Sequence, residues 1–125
     1  MYLKLNNISK RFQYQWVLND VNLTIPSGNM IGLKGENGSG KSTLLKIISG
    51  ILPATKGHVN YLLEEKEISS SLLYKYISIS GPYMSVIEDF ELETLIRFHQ
   101  KVKGYKENIS VEEVLDIMDL KSHAH

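Results

Sequence analysis

The amino-acid sequence predicts an α/β fold. Three observations carry the prediction. Apolar and polar residues alternate near the N-terminus, a glycine-rich loop at residues 35–43 lies between a short apolar run and an amphipathic stretch, and the last third has helical spacing.

Leu3, Leu5 and Ile8 mark a half-buried first strand, and Val21, Leu23 and Ile25 alternate with Asn22 and Thr24 in a second. Pro26-Ser27-Gly28-Asn29 is a turn by composition, because proline presets φ and glycine admits positive φ. Met30-Ile31-Gly32-Leu33 reads as a short buried strand. Leu44, Ile47, Ile48 and Ile51 stand at i, i+3, i+4 and i+7, one face of a helix that Gly50 and Pro53 stop. Residues 58–62 suit another strand, 64–71 a polar surface excursion, and 76–80 return to period two through Ile77 and Ile79. Further on, Leu92, Leu95, Ile96, His99 and Val102 share a helical face that ends near Gly104. Ser110 followed by Glu113 is a capping box, and Val111, Val114, Leu115 and Met118 form the stripe behind it.

The 125 residues suffice for one compact domain, and 42% hydrophobic with 22% charged residues is ordinary for a globular chain. Without cysteine there is no disulfide framework, thiolate metal site or cysteine nucleophile. No stretch approaches the roughly 18 apolar residues of a membrane-spanning helix. The formal charge is zero but unevenly spread. Residues 1–61 carry seven basic against two acidic side chains, a net of +5, and residues 62–125 carry seven against twelve, a net of −5. The basic half suits a polyanionic ligand. No basic run with interleaved aromatics favours nucleic acid.

Gly35-Glu36-Asn37-Gly38-Ser39-Gly40-Lys41-Ser42 satisfies G-x-x-x-x-G-K-[ST], the phosphate-binding loop of P-loop NTPases. Glycines allow the backbone to approach phosphate oxygens, and the N–H groups of Gly38, Ser39, Gly40 and Lys41 are expected to form an anion nest. The helix that starts near Lys41 adds its positive dipole end. Lys41 is the expected catalytic cation at the β- and γ-phosphates, the Ser42 hydroxyl the expected Mg²⁺ ligand, and Thr43 a contact to the α-phosphate.

What flanks the loop narrows the class. Ile8-Ser9-Lys10-Arg11-Phe12, Val17-Leu18-Asn19-Asp20-Val21-Asn22-Leu23-Thr24-Ile25-Pro26-Ser27-Gly28, Ile31-Gly32-Leu33-Lys34 ahead of the loop, and Ile48-Ser49-Gly50-Ile51-Leu52-Pro53 with Gly57 and Val59 resemble the ATP-binding subunit of ABC transporters. The match is close over residues 1 to about 60 and loose beyond. It implies a P-loop NTPase of ABC type: an N-terminal antiparallel β-subdomain, part of a RecA-like core and the start of a helical subdomain. Residues 1–125 then form a partial ATP-binding domain. Residues 1–62 hold the β-subdomain, phosphate loop and its helix; 63–90 hold an excursion, a core strand and a glutamine-loop-like region; 91–125 begin the helical subdomain.

The resemblance also implies ATP and Mg²⁺ as ligands and an aromatic residue that stacks on adenine, for which Phe12 is best placed and Tyr14 and Trp16 are neighbours. It implies transmembrane transporter subunits and a second ATP-binding subunit as partners, on the cytoplasmic face of the membrane, with residues 89–98 on the surface that touches the former.

The sequence departs from the family pattern after residue 60. Gly81 stands where a glutamine that contacts Mg²⁺ and water belongs, in Tyr76-Ile77-Ser78-Ile79-Ser80-Gly81-Pro82-Tyr83. The Leu-Ser-Gly-Gly-Gln signature, an apolar strand ending in Asp-Glu and a later switch histidine are missing from the 125 residues. His123 and His125 read as a terminus or cloning remnant, and His58 and His99 as packing or surface residues. The expected parent function is ATP hydrolysis coupled to transport. This chain is expected to bind nucleotide weakly or not at all and to hydrolyse it negligibly, as a fragment of a longer gene product or a degenerate copy. The alternatives are a noncatalytic nucleotide-binding module and a cytosolic ABC-type ATPase without a transport role.

Overall fold

The computed structural model describes residues 1–81, 85, 89–104 and 109–120. These fall into two compact units, Met1–Leu73 and Tyr74–His125.

The first unit is built on a four-stranded antiparallel sheet in the order β2-β1-β3-β4, with β1 at Tyr2–Phe12, β2 at Gln15–Ile25, β3 at Lys56–Leu63 and β4 at Lys66–Glu67. Alternation puts Leu5, Ile8 and Leu18 on one face of the sheet. There they meet Leu44 and Ile47 of the helix α1, Lys41–Ile48, to make the core. Ile51, the fourth residue of the predicted helical stripe, lies beyond the helix and is half exposed.

The β1–β2 hairpin is not regular. An extra residue on β1 at Asn7 breaks the register against both neighbours, and β2 carries extra residues near Asp20 and at Val17. Asn7 and Asp20 both have positive φ, which Asn and Asp tolerate better than other side chains. Side chains fasten the irregularity: Asn7 Nδ2 donates to Asp20 Oδ1 at 2.6 Å, Asn7 N–H to Asn22 Oδ1 at 2.8 Å, and Asp20 N–H to Ser9 Oγ at 2.9 Å. Across the bulge sits Gly57 at φ 79°, where an added Cβ would stand 2.3 Å from the Asn6 carbonyl oxygen.

One tyrosine joins the sheet to the helix. Tyr61, buried on β3, donates its hydroxyl to the Ile48 carbonyl at the end of α1 at 2.8 Å. This satisfies one of the carbonyls that a helix end leaves unpaired.

Two expected strands are not formed. Residues 30–33 and 76–80 have no strand partner among the described residues, and Met30, Ile31 and Leu33 are exposed. The physical reason is that a strand needs a neighbour to pair its backbone groups, and neither segment has one among the described residues, whereas β1, β2 and β3 supply one another. The 64–71 excursion is also more ordered than expected. It holds β4 and enters a 3₁₀ turn at Ser70–Lys75.

In the second unit, α2 (Leu92–Lys103) and α3 (Val111–Ile117) pack through Ile96, Val111 and Leu115. The capping box forms as read: Glu113 N–H donates to Ser110 Oγ at 3.1 Å and Ser110 N–H to the Glu113 carboxylate at 2.7 Å. Lys103, in the last turn of α2, donates to the Ile77 carbonyl and, at 2.7 Å, to Ser78 Oγ. Among the described residues no helix is long and apolar enough to cross a membrane.

Candidate functional site

Gly35, Glu36, Asn37, Gly38 and Ser39 form an exposed turn that runs through Gly40 into Lys41, Ser42 and Thr43, the first turn of α1. Ser39 N–H donates to the Glu36 carbonyl at 3.2 Å and closes the turn. Gly40 takes the N-cap position at φ 90°, a left-handed conformation without a side-chain cap, so the cap leaves the helix-end N–H groups to another partner. A Cβ on Gly40 would stand 2.9 Å from Leu18 Cδ2 and 3.0 Å from the Val17 carbonyl oxygen. The loop is thus pressed against the bulged start of β2, and only glycine fits there.

Lys41 does not extend into solvent. Its Nζ donates to the carbonyl oxygens of Gly35 at 2.8 Å and Glu36 at 2.7 Å, which holds a cation against the mouth of the turn. No acidic residue lies in the first turn of α1. A left-handed glycine cap, an inward cation and an acid-free helix start suit a polyanion, so the residues present fit the phosphates of a nucleotide. For a metal the donor set is thinner. Ser42 offers one hard oxygen, and the described residues contain no cluster of three or more His, Cys, Asp or Glu that could hold an ion.

The three aromatic candidates separate by face. Lys10 is the cross-strand partner of Leu18, which belongs to the core beneath α1, and Phe12 follows Lys10 by two residues on the same face. Trp16 pairs with Arg11 on the opposite face, where the Arg11 guanidinium and the Lys56 ammonium lie 5.4 and 5.5 Å from its ring centroid. Phe12 is therefore the aromatic on the side of α1 and its loop. Tyr14, at the hairpin tip, is 98% exposed.

Gly81 is exposed, and a Cβ there would meet nothing within 4 Å, so packing does not demand a glycine. Pro82, Tyr83, His123 and His125 lie outside the described residues. His58 on β3 and His99 on α2 are exposed. Motif reading missed Val17, which backs the loop, and Tyr61, which holds the far end of α1. A tyrosine among the apolar residues of a strand was the available signal for the second.

Comparisons with known proteins bear on the family and the fold. A family model described as ABC transporter matches residues 18–125. The sulfate/thiosulfate import ATP-binding proteins CysA of Escherichia coli (strain K12) and CysA 1 of Shewanella oneidensis are each 49% identical over 61 residues. That match is 49% of this chain but only 17% and 16% of theirs. Among solved structures, an ATP-binding subunit of an ABC transporter superposes with a TM-score of 0.80 at 22% identity, covering 99% of this chain and 53% of its own. A nucleotide-free ATP-binding cassette from an ABC transporter gives 0.58 at 30% identity and covers 99% of this chain and 56% of its own. The chain spans about half the length of these solved subunits. Over that half, the fold is that of an ATP-binding cassette, and the chain belongs to the ABC transporter family.

Proposed function

We propose that the chain is the nucleotide-binding portion of an ABC transporter's ATP-binding subunit, which in the full-length protein binds and hydrolyses Mg-ATP to drive transport. One observation carries the reading. The Lys41 cation is held at the mouth of a glycine-capped helix start whose first turn carries no acidic residue. The backbone N–H groups around Gly38, Ser39, Gly40 and Lys41 take the phosphates, Gly35, Glu36 and Asn37 shape the turn, and Thr43 contacts the α-phosphate. Phe12 supplies a face for adenine on the α1 side of the hairpin.

Mg²⁺ would be held by the Ser42 hydroxyl together with phosphate oxygens, and when bound it neutralises charge on the phosphates. Lys41 stabilises negative charge that develops as water attacks the γ-phosphorus in line. The chain's own residues supply no general base in this reading, and Gly81 has no side chain to orient water. We therefore expect weak binding and negligible hydrolysis by the 125 residues. A second ATP-binding subunit and transmembrane subunits complete the machine, on the cytoplasmic face of the membrane. The relatives named for sulfate and thiosulfate import suggest an importer.

Calorimetric titration with Mg-ATP on the wild type and Lys41→Ala tests the site. Weak binding abolished by the substitution is expected, and equal binding by both proteins would refute the role of the loop. Steady-state turnover of ATP by the purified chain at a rate typical of the family would overturn the expected inactivity. A noncatalytic module is the second reading. Gly81 favours it, because a binding site without a water-orienting side chain can hold nucleotide without consuming it.

A further inference from the structure

We infer that Lys10 is a positioning residue that presents the Phe12 ring to the nucleotide base and ties it to the phosphate-loop helix. The inference rests on the reading of Phe12 as the base platform. Lys10 is a half-buried lysine at a core-facing position of β1, opposite Leu18, where a plain alternating strand would carry an apolar side chain. Its ammonium does two things there. It lies 5.2 Å from the Phe12 ring centroid, within cation–π range. It also donates to the Pro53 carbonyl at 2.7 Å, four residues beyond the C-cap of α1.

The Pro53 contact is one of three that lock this stretch to β1. Thr55 N–H donates to the Ser9 carbonyl at 2.8 Å and Arg11 N–H to Thr55 Oγ1 at 3.1 Å. The chain therefore runs from the phosphate loop through α1 to Pro53, then by hydrogen bonds back to β1, and ends at Phe12. A base stacked on Phe12 and phosphates held at Gly40 and Lys41 would sit on one hydrogen-bonded frame, and Lys10 is its last link.

Phe12 is 46% exposed at a strand end, so its ring needs a partner to stay in one orientation. A cation on one side leaves the other side for a base, and it draws electron density through the ring toward itself. Trp16 on the far face has two cations against it and is not placed to share the role.

The test compares two probes, Mg-ATP and Mg-tripolyphosphate, titrated by NMR into the labelled 125-residue chain as wild type, Lys10→Met and Lys10→Arg. Loss of a general positive charge, or of fold, would weaken both probes alike; loss of a base platform weakens ATP alone. Lys10→Met is expected to weaken ATP binding about three-fold with tripolyphosphate unchanged, as suits one exposed cation–π contact. Lys10→Arg, which keeps a donor and a stacking cation, is expected to restore the ratio. An unchanged ratio in Lys10→Met, or an equal loss on both probes, overturns the inference and leaves the phosphate loop standing. A wild type that binds ATP no tighter than tripolyphosphate overturns the Phe12 platform itself, and the inference with it.

Discussion

Lys41 reaches back across the turn that precedes it, its ammonium 2.8 Å from the Gly35 carbonyl oxygen and 2.7 Å from that of Glu36. One side chain thus does two jobs. It fixes the turn by bonding the carbonyls where the turn begins, and in the proposed function it is the cation that meets the phosphates. Hydrogen bonds to a charged donor contribute about 1.5–3 kcal/mol each, more than neutral ones.

Lys41→Ala is therefore expected to do more than remove a charge. Binding of Mg-ATP should fall by at least about ten-fold, and the backbone amide resonances of Gly35, Glu36 and Asn37 should shift even without nucleotide. Lys41→Arg should preserve the amide shifts better than binding, because a guanidinium can reach the carbonyls but fits the nest less closely. Nucleotide-free spectra of the alanine variant that match the wild type would show that the lysine does not hold the turn.

A backbone site is equally exposed to test. Gly57 at φ 79° lies across the bulge at Asn7, and a methyl group there would stand 2.3 and 2.4 Å from the Asn6 and Asn7 carbonyl oxygens. Gly57→Ala should cost about 2–3 kcal/mol, since it combines a left-handed alanine with a clash against backbone. Urea denaturation followed by circular dichroism measures it. A loss below about 0.5 kcal/mol, the range of neutral surface changes, would mean that the bulge moves freely.

These two sites show why part of the molecule was legible in the sequence and part was not. The antiparallel strands and α1 were visible because each buries its own stripe, Leu5 and Ile8 on β1 and Leu44 and Ile47 on α1, against near neighbours in the chain. The capping box was visible because its partners are three residues apart. Residues 30–33 carry an equally good strand pattern and form none, since pattern reports which side chains seek burial and not whether a partner strand is present. The glycine-capped turn into α1 was readable from spacing alone. The faces of Phe12 and Trp16 were not: the extra residue at Asn7 on β1 sets the side of Phe12, the extra residue at Val17 on β2 turns Trp16 away from it, and no sequence rule places either bulge.

Tyr61 offers a test of how the sheet holds the far end of α1. Tyr61→Phe keeps the ring and removes the hydroxyl that reaches the Ile48 carbonyl at 2.8 Å, so a loss of about 1 kcal/mol is expected. Burial also pushes the phenol above its ordinary value of 10.0, so the folded chain holds that proton more tightly than the unfolded one. Its contribution is fully present below the unfolded value and lost as pH rises through the folded one. Denaturation at pH 8 and pH 11 should show a loss of stability at the higher pH that is smaller in Tyr61→Phe. An identical pH dependence in both proteins would place the alkaline loss elsewhere.

The same logic runs with opposite sign at the start of α3. The Glu113 carboxyl titrates below its ordinary range, first because it accepts from the Ser110 backbone N–H and then because of the Ser110 hydroxyl. A depressed folded value means that the carboxylate supports the cap above the unfolded pKa, and that this support fades as pH falls through the folded one. Carbon-detected titration of the side-chain carboxyls should therefore give Glu113 a midpoint below the ordinary carboxylate range. Ser110→Ala removes the hydroxyl and leaves the N–H, so the midpoint should rise part of the way, and amide exchange at Glu113 should quicken because its N–H loses Ser110 Oγ as acceptor. A midpoint unmoved by the substitution would assign the whole depression to the backbone contact. Faster exchange at Glu113 without such a shift would then show that the two halves of the capping box act independently, the hydroxyl on the helix and the carboxylate on the Ser110 N–H.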